Sequence, residues 1–365
     1  MMLGPNAEEM TARARADLRI GTPVAVVSDD VGGIAVSSEM ISTDRLGALR
    51  AISDTLDLVI TARRAETLQA RAYDGDIARL VLDTDMSFEH VHAITDPSFA
   101  LRNPLMGPFP SRRDGTAAPQ RLAVRLTKTA RLLPSVVFAS ATADAVCDLA
   151  KANSLTLIDD KIMAQADDTA LELTCVSSAR VPLAVSKDAH VHVFRPNNGE
   201  EEHYAIEIGR PDRAQPVLSR LHSACFTGDL IGSLKCDCGP QLRAALEQIS
   251  KTGSGVLLYL NQEGRGIGLA NKMRAYSLQD QGYDTVEANH RLGFEDDERD
   301  FRIGAKILTS LGFSSVHLMT NNPGKVAGMN AAGVHVETRA PLIVGENAHN
   351  VEYLKTKAAK SGHIL

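Results

Sequence analysis

A chain of 365 residues is long enough for two domains of ordinary size. Its 44% hydrophobic and 23% charged residues match water-soluble globular proteins and exclude a disordered or fibrous chain. A net charge of -6 gives no electrostatic reason to expect DNA or RNA as a partner, and no run approaches the roughly 20 apolar residues of a membrane span.

In chain order, Glu8–Leu18 reads as a helix and Thr22–Val27 as a buried strand. Arg45–Ala51 looks helical and Leu58–Thr61 extended. Residues 94–118 are rich in Pro, Gly and charge and are expected to form a long loop. A helix over Arg121–Leu132 is stopped by Pro134, followed by a strand at Val136–Ser140, a helix at Thr142–Ala152 and a short strand at Leu155–Ile158. A division into two halves falls near Leu173–Arg180. Beyond it, Ala189–Phe194 alternates His and Val, which places His190 and His192 on one strand face, read as solvated. Pro240 suits a first helical turn, Gln241–Lys251 is amphipathic, and Gly253 is placed as its C-cap. Gly255–Leu260 is a buried strand, and the loop 261–268 leads into a helix ending near Gln279. Helices over 301–311 and 323–332 alternate with strands over 315–320 and 334–338. The expected class is α/β (mixed α+β), with two domains, each a sheet with packed helices. The N-terminus has no signal-like apolar stretch, so the expected compartment is the cytoplasm.

The five cysteines are Cys147, Cys175, Cys225, Cys236 and Cys238. An odd count argues against a disulfide framework, and the last three form a Cys-x10-Cys-x-Cys cluster. Thiolates are soft ligands that suit tetrahedral zinc. Two cysteines one residue apart reach one ion only if the backbone turns sharply, and Gly239–Pro240 is expected to supply that turn. Three protein ligands leave a corner open for chemistry, whereas His222 as a fourth would close the site; free thiols are the bland alternative. In NQEGRGIGL, Gly264, Gly266 and Gly268 permit close backbone approach and Arg265 offers a phosphate fork, though a plain tight turn reads equally well. The run FEDDERDF reads first as a solvated turn. In TNNPGK, Thr320 and Lys325 stand where a strand ends and a helix begins, the edge at which α/β sheets bind ligands; the alternative is a simple helix cap.

The segments RLHSACFTGDLIGSLKCDCGPQL, LLYLNQEGRGIGLANKMRAYSLQDQGYDTVEANHRLGF, DDERDF, LMTNNPGKV and RAPLIVGENAHNVEYLKTKAAKSGH, in this order, resemble GTP cyclohydrolase II, the enzyme at the head of riboflavin synthesis. The resemblance covers about residues 179–363. It implies hydrolysis of GTP to 2,5-diamino-6-(5-phosphoribosylamino)pyrimidin-4(3H)-one, formate and diphosphate. It assigns one Zn2+ per chain to Cys225, Cys236 and Cys238, and Mg2+ to the triphosphate. Arg299 matches the residue proposed to attack the α-phosphate, Asp297 its proton acceptor, and Tyr276 a tyrosine linked to completing ring opening. Nucleotide contacts are implied for Arg220, His222, Ser223, Gln241, Glu263, Gly264, Arg265, Thr285, Thr320 and Lys325. A homodimer is the expected assembly. One departure stands beside the first cysteine: the family usually reads His-Ser-Glu-Cys, and this chain has Ala224 in place of the glutamate.

Residues 15–165 faintly resemble 3,4-dihydroxy-2-butanone-4-phosphate synthase, through RADLRIGTPVAVVSDD, LPSVVFA and CDLAKANSLTLIDDKI. The working residues of that enzyme are missing. SDDVGGIAVSSEM stands where its acidic, arginine-containing loop belongs, and Ala118-Pro119-Gln120-Arg121 where Gly-His-Thr-Glu belongs. The expected division is a non-catalytic domain over 1–178 and a cyclohydrolase domain over 179–365. Two other functions fit the same residues: a purine-ring hydrolase that stops at a formamidopyrimidine or serves another pathway, and a GTP-binding scaffold with structural zinc.

Overall fold

The computed structural model describes residues 3–99, 106–168 and 171–351, with 354, 355, 359, 362 and 364, and these fall into two units. The first unit takes residues up to Ala170 together with Ala270–Asp297; the second takes Leu171–Leu269 and the chain from Glu298 onward. The units therefore do not follow a single cut in the sequence. Part of the loop expected over 94–118, residues 100–105, lies outside the described residues.

The first unit runs α1 (Ala7–Arg19), β1 (Val24–Ser28), β2 (Val31–Ser37), α2 (Thr43–Arg50), β3 (Leu56–Thr61), α3 (Ala62–Thr67), β4 (Ile77–Leu82), α4 (Phe88–Thr95), α5 (Ala118–Thr129), β5 (Ser135–Thr142), α6 (Ala143–Asn153), β6 (Leu157–Asp159) and α7 (Asp160–Asp168). The sheet order is β4-β3-β5-β2-β1-β6. Both faces are covered. Ala25, Ile34, Leu58 and Ile60 pack against Leu46 and Leu49 of α2 and Val91 and Ile94 of α4. Val24, Val26, Val59 and Phe138 meet Ala14 and Leu18 of α1 and Leu122 and Leu126 of α5 on the other side. A strand buried on both faces reads as a nearly continuous apolar run, as in Val24–Val27 of β1 and Val136–Ala139 of β5, whereas β3 is interrupted by the buried Asp57.

The second unit runs β7 (Leu173–Arg180), β8 (Ala189–Pro196), β9 (His203–Ile208), β10 (Val217–Ser223), α8 (Cys238–Thr252) and β11 (Gly255–Leu260). The chain then enters the first unit through α9 (Leu269–Asp280) and α10 (Thr285–Leu292). It closes the second with α11 (Arg302–Ser310), β12 (Ser315–Met319), α12 (Pro323–Ala331) and β13 (His335–Ala340). The sheet order is β13-β12-β10-β11-β9-β8-β7. Strands β13, β12, β10 and β11 are parallel, while β9, β8 and β7 continue the sheet antiparallel. Ile303, Ile307 and Leu308 of α11 and Met329 of α12 pack on one face, and Ala245 and Ile249 of α8 on the other. Gly253 ends α8 in the left-handed region with φ 96°, as its place after the amphipathic run predicts.

Candidate functional site

The three clustered cysteines meet at the carboxyl end of β10. Cys225 follows that strand, and Cys236 and Cys238 stand at the start of α8. Their sulfurs lie within 4.8 Å of one another. Two sulfurs on one tetrahedral zinc, each about 2.3 Å from the ion, stand about 3.8 Å apart; Cys225 and Cys236 Sγ are 3.7 Å apart. Gly228 makes this approach possible. A Cβ there would lie 2.8 Å from Cys236 Sγ and 3.1 Å from Cys225 Sγ. As thiols Cys236 and Cys238 resist ionisation: hydrogen bonding to Cys225 is the largest cause for both, and for Cys238 hydrogen bonding to Cys236 and then burial add to it, pushing it well above the ordinary thiol value. A bound divalent cation reverses that balance by deprotonating its thiol ligands. Geometry and donor chemistry thus fit zinc.

One alternative is set aside here and one expectation corrected. His222 does not join the sulfurs as a fourth ligand. Its Nε2 is 3.0 Å from the Asp229 carboxylate, and among the described residues the group of potential metal ligands holds the three cysteines alone. Gly239–Pro240 does not form a separate sharp turn after the cluster. Both residues lie in the first turn of α8, so the ligand pair sits at a helix N-terminus, where the macrodipole favours thiolate.

Asp229 is a residue of this cluster that sequence reasoning missed. Its buried carboxylate accepts the Cys225 N–H at 3.0 Å and the Tyr259 hydroxyl at 3.0 Å, besides facing His222. Tyr259 comes from β11 and its ring stacks on His222 at a centroid distance of 5.6 Å. Burial first, and then the Asp229 charge, push the Tyr259 phenol above its ordinary value, so it remains a donor. The only cue in the sequence is an acid inside the loop that joins two of the cysteines.

Around this centre the ends of β10, β11 and β12 collect most of the expected nucleotide contacts. Arg220, at the heart of β10, donates to the Met319 carbonyl at 2.9 Å and to Gln241 Oε1, and Gln241 in turn donates to Asp237 at 2.5 Å. Burial lowers the Arg220 guanidinium to about 10, against the opposing pull of Asp237 and Cys238. Among the described residues its buried Nε finds no hydrogen-bond partner, a donor that a ligand acceptor would satisfy. Lys325 is buried and its Nζ donates to the Leu221 carbonyl at 2.8 Å. Arg299 donates to Ser223 Oγ at 3.3 Å. Thr320 Oγ1 accepts the Asn322 N–H at 3.0 Å, so its hydroxyl also caps the turn into α12.

After β11, Gly264, Arg265 and Gly266 all take positive φ, of 64°, 62° and 95°. A non-glycine residue in the left-handed region is uncommon. Here it is held by the Glu298 N–H, which donates to the Arg265 carbonyl at 2.9 Å. Glu263 accepts the Phe226 N–H at 2.6 Å and the Gly264 N–H at 3.1 Å, tying this turn to the cysteine loop. Ala224 stands half-buried beside it and donates its N–H to Leu260.

Tyr276, Thr285 and Asp297 belong to the first unit. Tyr276 is half-buried on α9 with Lys272 Nζ 5.6 Å from its ring centroid, Thr285 accepts from Gln279 at 3.1 Å, and Asp297 is exposed. On β8, His192 is half-buried and 3.6 Å from Glu207.

A family model described as GTP cyclohydrolase II matches residues 174–341. A GTP cyclohydrolase-2 of Azospirillum brasilense is 42% identical over 358 residues, covering 97% of this chain and 93% of its own. The chain belongs to the GTP cyclohydrolase II family. A GTP cyclohydrolase-2 of Actinobacillus succinogenes is 57% identical over 166 residues, which is 46% of this chain and 76% of that relative. Among solved structures, a two-domain 3,4-dihydroxy-2-butanone 4-phosphate synthase from A. baumannii is similar at 17% identity with a TM-score of 0.33, covering 92% of this chain and 99% of that one.

Proposed function

We propose that this chain hydrolyses GTP to 2,5-diamino-6-(5-phosphoribosylamino)pyrimidin-4(3H)-one, formate and diphosphate, the opening reaction of riboflavin synthesis. The observation that carries the reading is the trio Cys225, Cys236 and Cys238, spaced for zinc at the strand ends with no fourth ligand among the described residues. Zinc held there supplies a Lewis acid that lowers the pKa of water toward neutrality. The protein's own residues do the rest. Arg220, Arg265 and Lys325 neutralise and orient the Mg2+-bound triphosphate, and Glu263 accepts from the guanine N–H edge. His222, Ser223, Gln241, Gly264, Thr285 and Thr320 complete the nucleotide contacts. Arg299 stabilises charge at the α-phosphate, a role a guanidinium fills more readily than nucleophilic attack, because it is almost never deprotonated. Asp297 accepts the proton, and Tyr276 completes the ring opening.

Residues 179–365 carry this activity, and residues 1–178 form a degenerate synthase-like domain without activity of its own. The reading takes the protein as a cytoplasmic homodimer that engages neither nucleic acid nor membrane. Among the described residues no helix is long and apolar enough to cross a membrane. Incubation with GTP, Zn2+ and Mg2+, followed by formate and diphosphate assays and mass spectrometry, tests the proposal. Binding of GTP without formate release would select the scaffold with structural zinc. Accumulation of a formamidopyrimidine would select the second reading, a hydrolase that stops early, which Ala224 leaves open and Tyr276 argues against. Conversion of ribulose 5-phosphate by the purified protein would overturn the inactive assignment of residues 1–178.

A further inference from the structure

Ala270–Asp297 comes from the middle of the family-matched stretch 174–341, yet it packs within the unit built by the first 170 residues. Apolar burial does little to fix α9 there, since Asn271, Ala275 and Leu278 are its buried residues. A helix of this length is marginal without tertiary support. The support is polar and comes from far away in sequence. Arg274 Nε donates to Asp96 Oδ2 at 2.8 Å, its Nη2 to Glu39 Oε1 at 2.9 Å, and its Nη1 to Asn271 Oδ1 at 2.8 Å. Every guanidinium nitrogen is engaged. The acids are themselves held: Glu39 accepts the Leu133 N–H at 2.8 Å, and Asp96 accepts the Ser98 N–H at 2.9 Å. Fully buried Asn271 donates to the Arg131 carbonyl at 3.0 Å. The end of α10 is fastened too, since Thr61 Oγ1 donates to the Gly293 carbonyl at 2.8 Å and Arg63 meets Glu295 at 2.9 Å.

We infer that residues 1–170 serve as the mount for α9 and α10, and that Arg274, clamped by Glu39 and Asp96, is a positioning residue that sets the placement of Tyr276 two residues further along the helix. This rests on the reading above that Tyr276 takes part in ring opening. It gives the N-terminal half a task that needs none of the missing synthase residues. A guanidinium with two nitrogens bonded in fixed directions to acids outside the helix, and the third braced on Asn271 of the same helix, constrains helix rotation as well as depth, which a single apolar contact cannot do.

The test uses the full chain with Glu39→Gln, Asp96→Asn and the double substitution. The control, Asp57→Asn, removes the acid that Arg112 meets at 2.6 Å in the same unit, away from α9. Amide hydrogen exchange across residues 269–280 is expected to quicken by about tenfold or more in the double variant, with KM for GTP changed by no more than about twofold. The ratio of formamidopyrimidine to deformylated product is expected to rise together with the exchange rate. Each single variant leaves one carboxylate on Arg274, so the singles keep the test decisive if the double fails to fold. Unchanged exchange in 269–280 would overturn the inference. So would faster exchange with an unchanged product ratio, or an equal product shift in Asp57→Asn at equal loss of Tm. If the unmodified protein releases no formate from GTP, the proposed function fails, and the exchange measurement, which needs no substrate, still decides whether the clamp holds the helix.

Discussion

Replacing Asp229 by Asn tests whether the metal centre depends on a residue that is not among the three cysteines. The carboxylate takes three donors at once: the Cys225 N–H at 3.0 Å, the Tyr259 hydroxyl at 3.0 Å and His222 Nε2 at 3.0 Å. Its side chain is 6% exposed, so water does not replace a lost partner. Asparagine keeps the shape, surrenders the charge, and turns a donating NH2 toward groups that are themselves donors. A hydrogen bond to a charged group is worth about 1.5–3 kcal/mol. If the loss of one falls on the conformation that presents Cys225 Sγ, zinc affinity drops by about 10- to 100-fold, the range seen when partners of metal ligands are removed. Tyr259→Phe deletes one donor and leaves the carboxylate on Cys225, so its effect is smaller, about 0.5–1.5 kcal/mol.

The assay is competition for zinc between the protein and a chromogenic chelator, with the cobalt-substituted protein read through its thiolate charge-transfer band. The expected order of zinc retention is unmodified protein, then Tyr259→Phe, then Asp229→Asn, with a changed cobalt band in the last. An Asp229→Asn protein whose Tm falls while zinc affinity and cobalt spectrum stay the same would refute the reasoning. It would reduce Asp229 to general stability.

Three further perturbations address separate parts of the molecule. Gly228→Ala places a methyl 2.8 Å from Cys236 Sγ, so zinc content measured by elemental analysis should fall well below one per chain; full occupancy would contradict the close packing. Ala224→Glu restores a carboxylate where the family has one, and a positioned charged contact of about 1.5–3 kcal/mol should raise kcat/KM for GTP by about 10- to 100-fold. Unchanged kinetic constants would remove Ala224 from the account. His192 is pushed below its ordinary value by burial, against the pull of Glu207, with His190 and Arg213 also opposing protonation. The folded state then binds fewer protons than the unfolded one below about pH 6.5, so stability is present above that value and declines as pH falls toward the lowered pKa. His192→Gln should flatten that decline in Tm, and identical slopes in the two proteins would count against it.

The sulfur cluster was legible because metal ligands must be particular residue types at short spacing. Cys225, Cys236 and Cys238 announce themselves without any knowledge of the fold. The frame of α8 was legible for a similar reason, since Pro240 and Gly253 mark its two ends locally. β2 was not: Val31–Ser37 carries Gly32 and Gly33 after its exposed first residue and is otherwise buried, so it shows neither alternation nor a strong apolar run. The packing of α9 within the first unit was also invisible, because its partner Glu39 stands 235 positions away and no local pattern encodes that distance. Asp229 escaped for a subtler reason. An acid in a glycine-containing loop has a ready surface explanation, and only burial together with three donors identifies it as a strut.

The charge around the centre links the legible part to the rest. Three thiolates would outweigh one divalent zinc, and the carboxylates of Asp229, Asp237 and Glu263 stand near the same strand ends. Such a surface by itself would repel a triphosphate, and the whole chain, at -6, gives no help. Arg220, Arg265, Arg299 and Lys325 reverse the sign locally, and two of them are buried, where cations are costly unless something pairs with them. Arg220 illustrates the point. It is held by a carbonyl and an amide oxygen, its Nε has no acceptor among the described residues, and burial has already lowered its pKa. An anionic ligand arriving there gains a desolvated, pre-oriented partner and relieves an unmet donor at the same time. The two buried cations, Arg220 and Lys325, are the costly ones, and a polyphosphate would supply the negative charge that offsets that cost.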